Sequence, residues 1–448
     1  MHFRNESRVG VKTGIMILVA CAIGFQGRAQ STAVKAVEDA LFDLPNVRFE
    51  RTSDGAKNFE AAWNLKIRQP LDHDDPEKGY FYQRVYLSHL DVNLPVVMVT
   101  EGYDRDWNYE SELAGAIGAN QIIVEHRYYG ESVPDSMDFE YLNIRQAARD
   151  LHRIRTLLGE FYDTPWVASG ISKGGQTTLY YRYFFPDDVS ASVPYVAPIN
   201  LSMEDDRIYS FLNSVGSARC RKRIEAIQKR ILEDYDGSLL RLKWHAKGAE
   251  YDFEYLSVEE AFEYAVLEYP FSFWQWGADC DDIPDSDEPL EVILDHFLDV
   301  SGLGFFSDDG MVSYASHYYQ CAREFGYYGY EVEPFAGSLR ALGQEGNPSA
   351  VFTPDHMSVP YDGGELAQKV YEWIDAFGDG IIHINGELDT WSATAMPPNE
   401  DRDALYFSLS DESHGTARIR NMSDAQKEET REALERWLGE AISGSLAD

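Results

Sequence analysis

Ser172, Asp389 and His414 are the residues whose types, order and surroundings could do chemistry together. A serine hydroxyl is a weak nucleophile at neutral pH. It needs a base to take its proton, and the base needs a carboxylate to fix its tautomer and stabilise the imidazolium. Ser172 stands in Gly170-Ile171-Ser172-Lys173-Gly174-Gly175, between the apolar run Trp166-Val167-Ala168 and a stretch, Gln176 to Phe185, that reads as helix. Strand, Gly-X-Ser-X-Gly and helix in that succession make a turn sharp enough to lift a serine hydroxyl above a sheet. Gly170 and Gly174 leave room where a side chain would collide with the neighbouring strand or helix. The bare pentapeptide is common by chance, and a glycine-rich turn with a bystander serine also satisfies it. The order downstream, serine then acid then histidine, raises it above that.

The chain has 11 histidines, so position has to choose among them. His414 lies in Ser413-His414-Gly415, a loop just past a predicted strand, and follows Asp389. His383 sits inside an apolar strand run and reads as a packed core residue. His126 precedes the serine, which is the wrong order, and His245, His296, His317 and His356 fall in or beside a helical stretch. Asp389 has rivals in Glu387 and Asp411, but it stands just past a strand, where open α/β sheets gather their sites. An oxyanion needs two backbone N–H donors aimed at the developing charge. Lys173, next after the serine, offers one. The loop after an earlier strand, Gly102-Tyr103, offers the N–H of Tyr103 as the other. The Lys173 side chain could place positive charge near the turn or make a structural salt bridge. No Cys-X-X-Cys or His-rich spacing suggests a metal, and no cofactor is expected.

Those residues need a scaffold, and the hydrophobic rhythm supplies one. Residues 61–67, 80–90, 95–100, 121–124, 166–168, 191–199, 380–385 and 404–409 read as strands. Ile144, Ala147, Ala148, Leu151, Ile154, Leu157 and Leu158 fall on one face of a helix. Further helices are expected over 33–44 and 367–377. A last one opens on a capping box, Ser423 to Gln426, with Leu434, Trp437, Leu438, Ala441 and Ile442 as its apolar face. Strands alternating with helices mean a mostly parallel sheet covered on both faces. With the serine turn, the class is α/β and the fold an α/β-hydrolase. The rhythm breaks at Asn200 and resumes near Leu366. Residues 201–350, helical, acidic and rich in aromatics, read as a helical cap inserted between two parts of the sheet domain, 30–200 and 351–448.

Composition narrows the setting. The 448 residues are 44% hydrophobic, enough for a large core, and the net charge of −37 argues against nucleic acid or an anionic membrane surface as partner. Residues 1–29 read as a signal peptide: Arg4, Arg8 and Lys12 precede the apolar stretch Gly14 to Phe25, and Gly27 and Ala29 offer small residues for cleavage. Secretion, or a bacterial periplasm, is the expected destination. Leu18-Val19-Ala20-Cys21 also looks like a lipobox, so an outer-surface lipoprotein, held to the membrane only if Cys21 is lipidated, is the alternative. Beyond it, Cys220, Cys280 and Cys321 allow one disulfide and one free thiol, and sequence does not choose the pair.

Several stretches together resemble the PS-10 (S37) serine peptidases. They are Gly170 to Gly175; Glu125-His126-Arg127-Tyr128-Tyr129-Gly130-Glu131-Ser132; Tyr141-Leu142-Asn143-Ile144 with Gln146-Ala147-Ala148; Val196 to Asn200 with Glu204-Asp205; the aromatic run Tyr269 to Gly277; and Glu387 to Ser392. The resemblance spans about residues 60 to 440, and the Ser-Lys-Gly-Gly turn sets it apart from the related prolyl carboxypeptidase and dipeptidyl-peptidase group. It implies a secreted serine exopeptidase that frees short peptides, tripeptides in some relatives, from a free N-terminus. It also implies Ser172 as nucleophile, His414 as base and Asp389 as the orienting acid. A free ammonium needs a carboxylate in a partly dehydrated pocket. Glu204, near the junction of sheet and cap, is a candidate beside the plainer reading of a surface acid. Trp274 and Trp276 could line a pocket for an apolar or prolyl side chain, or could be packing core. An esterase or lipase on the same fold, or a non-catalytic binding protein, are the alternatives.

Overall fold

The computed structural model describes residues 32–342 and 351–446. The signal peptide expected over residues 1–29, with Cys21, lies outside them. Nine strands form one sheet: β1 (Val47–Thr52), β2 (Ala61–Pro70), β3 (Tyr80–His89), β4 (Val96–Thr100), β5 (Asn120–Val124), β6 (Trp166–Ile171), β7 (Ala191–Tyr195), β8 (Ile382–Gly386) and β9 (Leu405–Leu409). Their order is β1-β2-β3-β5-β4-β6-β7-β8-β9. The first three pair antiparallel, and from β5 to β9 every pairing is parallel.

Side-chain alternation explains why both faces must be covered. Val96 and Met98 point into one core with Trp63, Leu65 and Ile122, while Val97 and Val99 point into another with Ile123, Val193 and Ile384. The first face is closed by α1 (Thr32–Asp43) and α3 (Ile144–Leu158), the second by α2 (Glu112–Ile117) and α13 (Asp424–Leu438). The N-terminus of α3 is fixed by Asn143, whose side chain accepts the Gln146 N–H at 3.0 Å. Its predicted apolar residues are buried as expected. With the serine turn between β6 and α4 (Lys173–Phe184), this is an α/β-hydrolase fold.

Some boundaries differ from the sequence reading. Residues 47–52, read as loop, form β1, an edge strand whose half-exposed alternation is too weak to stand out. The strand expected over 191–199 stops at Tyr195, because Val196 turns to φ 44° and Ile199 donates instead to Thr394. α13 stops at Leu438, where Gly439 takes the left-handed region at φ 72°. Ala441 and Ile442 are therefore not on its face, and only Ile442 still packs on that core.

Among the described residues, the chain beyond β7 first runs through α5 (Asp206–Leu212), α6 (Ala218–Glu233), α7 (Tyr235–Gly248), α8 (Val258–Trp276), α9 (Leu290–Ser301), α10 (Asp308–Ser313) and α11 (Ala315–Gln320). Ile227, Phe262, Ala265, Phe273 and Phe297 belong to a core that also takes in Ile144 of α3 and Leu179 and Tyr180 of α4. Past them α12 (Glu365–Phe377) returns the chain to the sheet. Cys220 of α6 is bonded to Cys280, just beyond α8, and Cys321 is free and buried. That bond closes a loop with a sequence separation of 60 around α7 and α8. Replacing both cysteines by serine should lower the unfolding free energy by about 2–4 kcal/mol in a denaturant titration, with the transition of the helical part moving most.

Candidate active site

β6 ends at Ile171 and α4 begins at Lys173, so Ser172 makes the turn by itself. Its φ of 58° and ψ of −124° are unfavourable for any residue with a Cβ, and such strain persists only where the surroundings impose it. They do: the Ser172 N–H donates to Tyr195 O at 2.9 Å, and its carbonyl accepts the Gln176 N–H at 2.8 Å. The turn closes because two glycines let backbone meet backbone. A Cβ on Gly170 would lie 2.3 Å from Gly174 O, and one on Gly174 would lie 2.5 Å from Thr100 O.

Asp389 and His414 come from the ends of β8 and β9 and meet in a buried contact. His414 Nδ1–H donates to Asp389 Oδ2 at 2.8 Å, and the Trp391 N–H donates to Asp389 Oδ1 at 3.1 Å. A carboxylate only accepts, so it holds the Nδ1–H tautomer and leaves Nε2 as the basic face. His414 and Ser172 line one cavity of about 720 Å³. In that arrangement an imidazole can take a serine proton. Glu387 and Asp411 are exposed. His383 is a core residue stacked on Tyr406 at 4.7 Å, and burial drives its pKa down to about 3. His126 is also buried, its ring turned to the Arg127 carbonyl at 2.8 Å.

The loop after β4 lies against the first turn of α4. A Cβ on Gly102 would stand 2.6 Å from Lys173 Cβ, so only glycine fits. The stretch Glu125 to Ser132 holds this loop from the other side. The Glu125 carboxylate accepts from the Arg105 N–H at 2.9 Å and the Ser132 hydroxyl at 2.6 Å, and the His126 N–H donates to Tyr103 O at 3.2 Å. Arg127 anchors the stretch to α3 through a buried pair with Asp150, at 2.7 and 2.9 Å. Burial pushes the Asp150 pKa up, but Arg127 and His73 more than offset it and hold the carboxylate ionised. Of the two expectations for the Lys173 side chain, positive charge near the turn or a structural salt bridge, no carboxylate among the described residues makes the second. That side chain is buried and Nζ donates to Gly102 O at 2.5 Å.

α8 builds the opposite wall. Glu268, Ser272, Gln275 and Trp276 recur at helical spacing and face the Ser172 cavity. Leu267, Pro270, Phe271 and Trp274 face the other way, onto a second cavity of about 370 Å³. The sequence allows Trp274 and Trp276 to line a pocket or to be packing core; two residues apart on a helix they face different ways, and Trp274 is buried while Trp276 is exposed. Only Trp276 is at the site, its ring edge-on to His414 with centroids 5.8 Å apart. Pro270 removes the donor that would satisfy Val266 O, and Gln228 Nε2 replaces it at 2.7 Å. Glu204 is exposed, accepts from the Tyr209 hydroxyl and is not among the residues lining the cavity.

Two carboxylates do line it: Glu101, which accepts from the Arg105 guanidinium at 2.9 Å, and Glu268. Glu268 is buried and accepts from the hydroxyls of Ser272, Tyr328 and Tyr330 at 2.7, 2.8 and 2.9 Å. No cation pairs with it among the described residues, and burial pushes its pKa up to about 7. Sequence reasoning passed over it because a single glutamate in an apolar run carries no motif. The signal available was that run itself: Tyr264 to Tyr269 is otherwise apolar or aromatic, so a charge within it has to be buried.

The family model for PS-10 peptidase S37 matches residues 30–444. A prolyl tri/tetrapeptidyl aminopeptidase of Streptomyces mobaraensis is 29% identical over 444 residues, covering 95% of this chain and 91% of that protein. The human lysosomal Pro-X carboxypeptidase is 32% identical over 166 residues, 32% of this chain and 33% of the relative. Among solved structures, a proline iminopeptidase of Mycobacterium smegmatis aligns with 84% of this chain and 97% of its own, at 12% identity and a TM-score of 0.38.

A fluorophosphonate probe reports the serine without assuming a substrate. Labelling should vanish in Ser172→Ala. It should slow by about 10⁴-fold in Asp389→Asn, because the amide turns the imidazole to the wrong tautomer. Circular dichroism should be unchanged in both, and labelling that survives in Ser172→Ala would place the nucleophile elsewhere.

Proposed function

The chain belongs to the PS-10 peptidase S37 family and is a serine peptidase; from that premise we propose an aminopeptidase that releases short peptides, such as tripeptides, from free N-termini. Ser172 attacks the scissile carbonyl while His414 Nε2 takes its proton. His414 returns that proton to the leaving amine, and Asp389 steadies the imidazolium between the two steps. Water then hydrolyses the acyl-enzyme with the same base. The N–H groups of Lys173 and Tyr103 receive the oxyanion. The name of the Streptomyces relative makes proline at the cleaved position the first choice of substrate to test.

The observation that carries this reading is Glu268. A carboxylate dehydrated in the same cavity as Ser172 and His414, held by hydroxyls and lacking a cation, is matched to an entering ammonium. It replaces Glu204 as the proposed partner of the substrate N-terminus. The attraction is stronger there than in bulk water because the surroundings are poorly polarisable. The proposed route to the cavity is secretion under residues 1–29, checked by sequencing the N-terminus of the exported protein.

A panel of chromogenic tripeptides, free and N-acetylated, with a p-nitrophenyl ester beside them, tests the proposal. Free tripeptides should be cleaved fastest. Acetylated peptides cleaved equally well would sink the aminopeptidase reading, and a preference for the ester would replace it with an esterase. Glu268→Gln should lower kcat/KM for the free tripeptide at least about 30-fold, the equivalent of about 2 kcal/mol, and leave the acetylated one nearly unchanged.

The pH dependence has a definite sign. The empty-site carboxyl of Glu268 is protonated below about 7 and ionised above it. KM for free tripeptides should therefore rise as pH falls through that value, while KM for acetylated ones does not. Glu268→Gln should flatten the profile, and a profile of KM unchanged by that substitution would assign the ammonium to another group.

A further inference from the structure

We propose that Lys173 is a positioning residue: by donating from Nζ to the Gly102 carbonyl it fixes the Gly102–Tyr103 peptide so that the Tyr103 N–H faces the serine. The inference rests on Ser172 being the nucleophile.

One planar unit couples the two atoms. Gly102 O and the Tyr103 N–H belong to the same trans peptide and point in opposite directions. Pinning the oxygen on one side therefore aims the N–H on the other. The oxygen is pinned at 2.5 Å by Lys173 Nζ. The next carbonyl along, Tyr103 O, is pinned by the His126 N–H at 3.2 Å. Both carbonyls flanking the Tyr103 N–H are thus held by donors, while no acceptor among the described residues takes that N–H itself.

Neutralisation of charge does not explain the lysine. Among the described residues no carboxylate pairs with it. Nζ lies 4.8 Å from the Tyr129 ring centroid, 5.2 Å from that of Tyr103 and 5.5 Å from that of Phe325. Burial of an ammonium among rings is costly and brings the Lys173 pKa down to about 7. A cost of that kind is retained where the group does something an apolar side chain of the same length cannot. Here that is one directed hydrogen bond. The backbone of Lys173 supplies one oxyanion donor and its side chain aims the other, so one residue sets the spacing of both.

The test compares a tripeptide ending in prolinal with the matching prolinol. The aldehyde carbon bonds to Ser172 Oγ, its C=O π bond opens to an oxyanion, and the hydroxyl proton passes to His414. The alcohol binds without forming any oxyanion. Wild type should bind the aldehyde on the order of 10²-fold tighter or more. Lys173→Met keeps the length and removes the donor. It should reduce that ratio by about 10- to 100-fold, with alcohol affinity and melting temperature unchanged, and should lower kcat with little change in KM. Gly102→Ala pushes the same peptide off Lys173 and should reduce the ratio too; it should also lower the melting temperature, so only the ratio is read from it should the lysine variant not fold. Equal losses for aldehyde and alcohol, or none, in a folded variant would overturn the role of Lys173. A wild type that binds the aldehyde no tighter than the alcohol would instead overturn the nucleophile on which it rests.

Discussion

The site depends on backbone meeting backbone without side chains between. At the end of β6, the start of α4 and the loop after β4, three glycines stand where a Cβ would come within 2.3 to 2.6 Å of a neighbour. These contacts set how near the sheet, the helix and the loop can approach. Ser172 is strained at φ 58° because the two segments it joins are locked by them. Enlarging any of the three glycines would move the serine relative to the loop that faces it. The rest of the chain can vary around this junction, but the junction cannot loosen without uncoupling nucleophile and donors.

A second frame ties the triad to the helical segment. The His414 N–H donates to the Gln275 carbonyl at 2.9 Å, and the Thr390 hydroxyl donates to the Phe271 carbonyl at 3.0 Å. The Gln275 carbonyl lies in the last turn of α8, which leaves acceptors without helical partners, and the Phe271 carbonyl lies one turn earlier. The loops carrying His414 and Asp389 are therefore docked onto the helix that carries Glu268. Any shift of α8 moves Glu268 and the two loops together. Pro270 immediately precedes Phe271, the first of these anchors in the chain, and the side chain of Gln228 restores the hydrogen bond it removes.

How much of this was legible in the sequence follows from what each feature needs. The strands of the parallel sheet could be read because β4, β5 and β7 are buried along their whole length and so are mostly apolar, with Thr100, Asn120, Gln121 and Ser192 as buried polar exceptions. The serine turn could be read because glycine spacing is local. β1 could not, since an edge strand shows little hydrophobic excess. Glu268 was invisible for a different reason. Its neighbours Ser272, Tyr328 and Tyr330 are contributed from two places in the chain, and only folding brings them together. The same holds for the choice of Cys220 and Cys280 over Cys321, which no spacing rule decides. Trp274 and Trp276 illustrate a period error: an aromatic run suggests a shared surface, but the helix sends alternate members to opposite cavities.

The charges of the cavity can be understood as one pattern. Glu268 is pushed up to about 7 and Lys173 down to about 7, each chiefly by burial. Both groups are thus near the point of giving up their charge in an empty site. An opposite charge nearby restores each: a substrate ammonium for Glu268, and the negative charge that develops on the carbonyl oxygen for the region Lys173 supports. A peptide with a free N-terminus brings the first on entry and generates the second during reaction. A blocked peptide brings only the second and leaves a dehydrated carboxyl facing an amide. Selection of the free terminus then needs no positive discrimination against blocked peptides. On the proposed role it follows from the attraction that only a free ammonium gains from Glu268, strengthened by Tyr328, Tyr330 and the aromatic walls that exclude water from it.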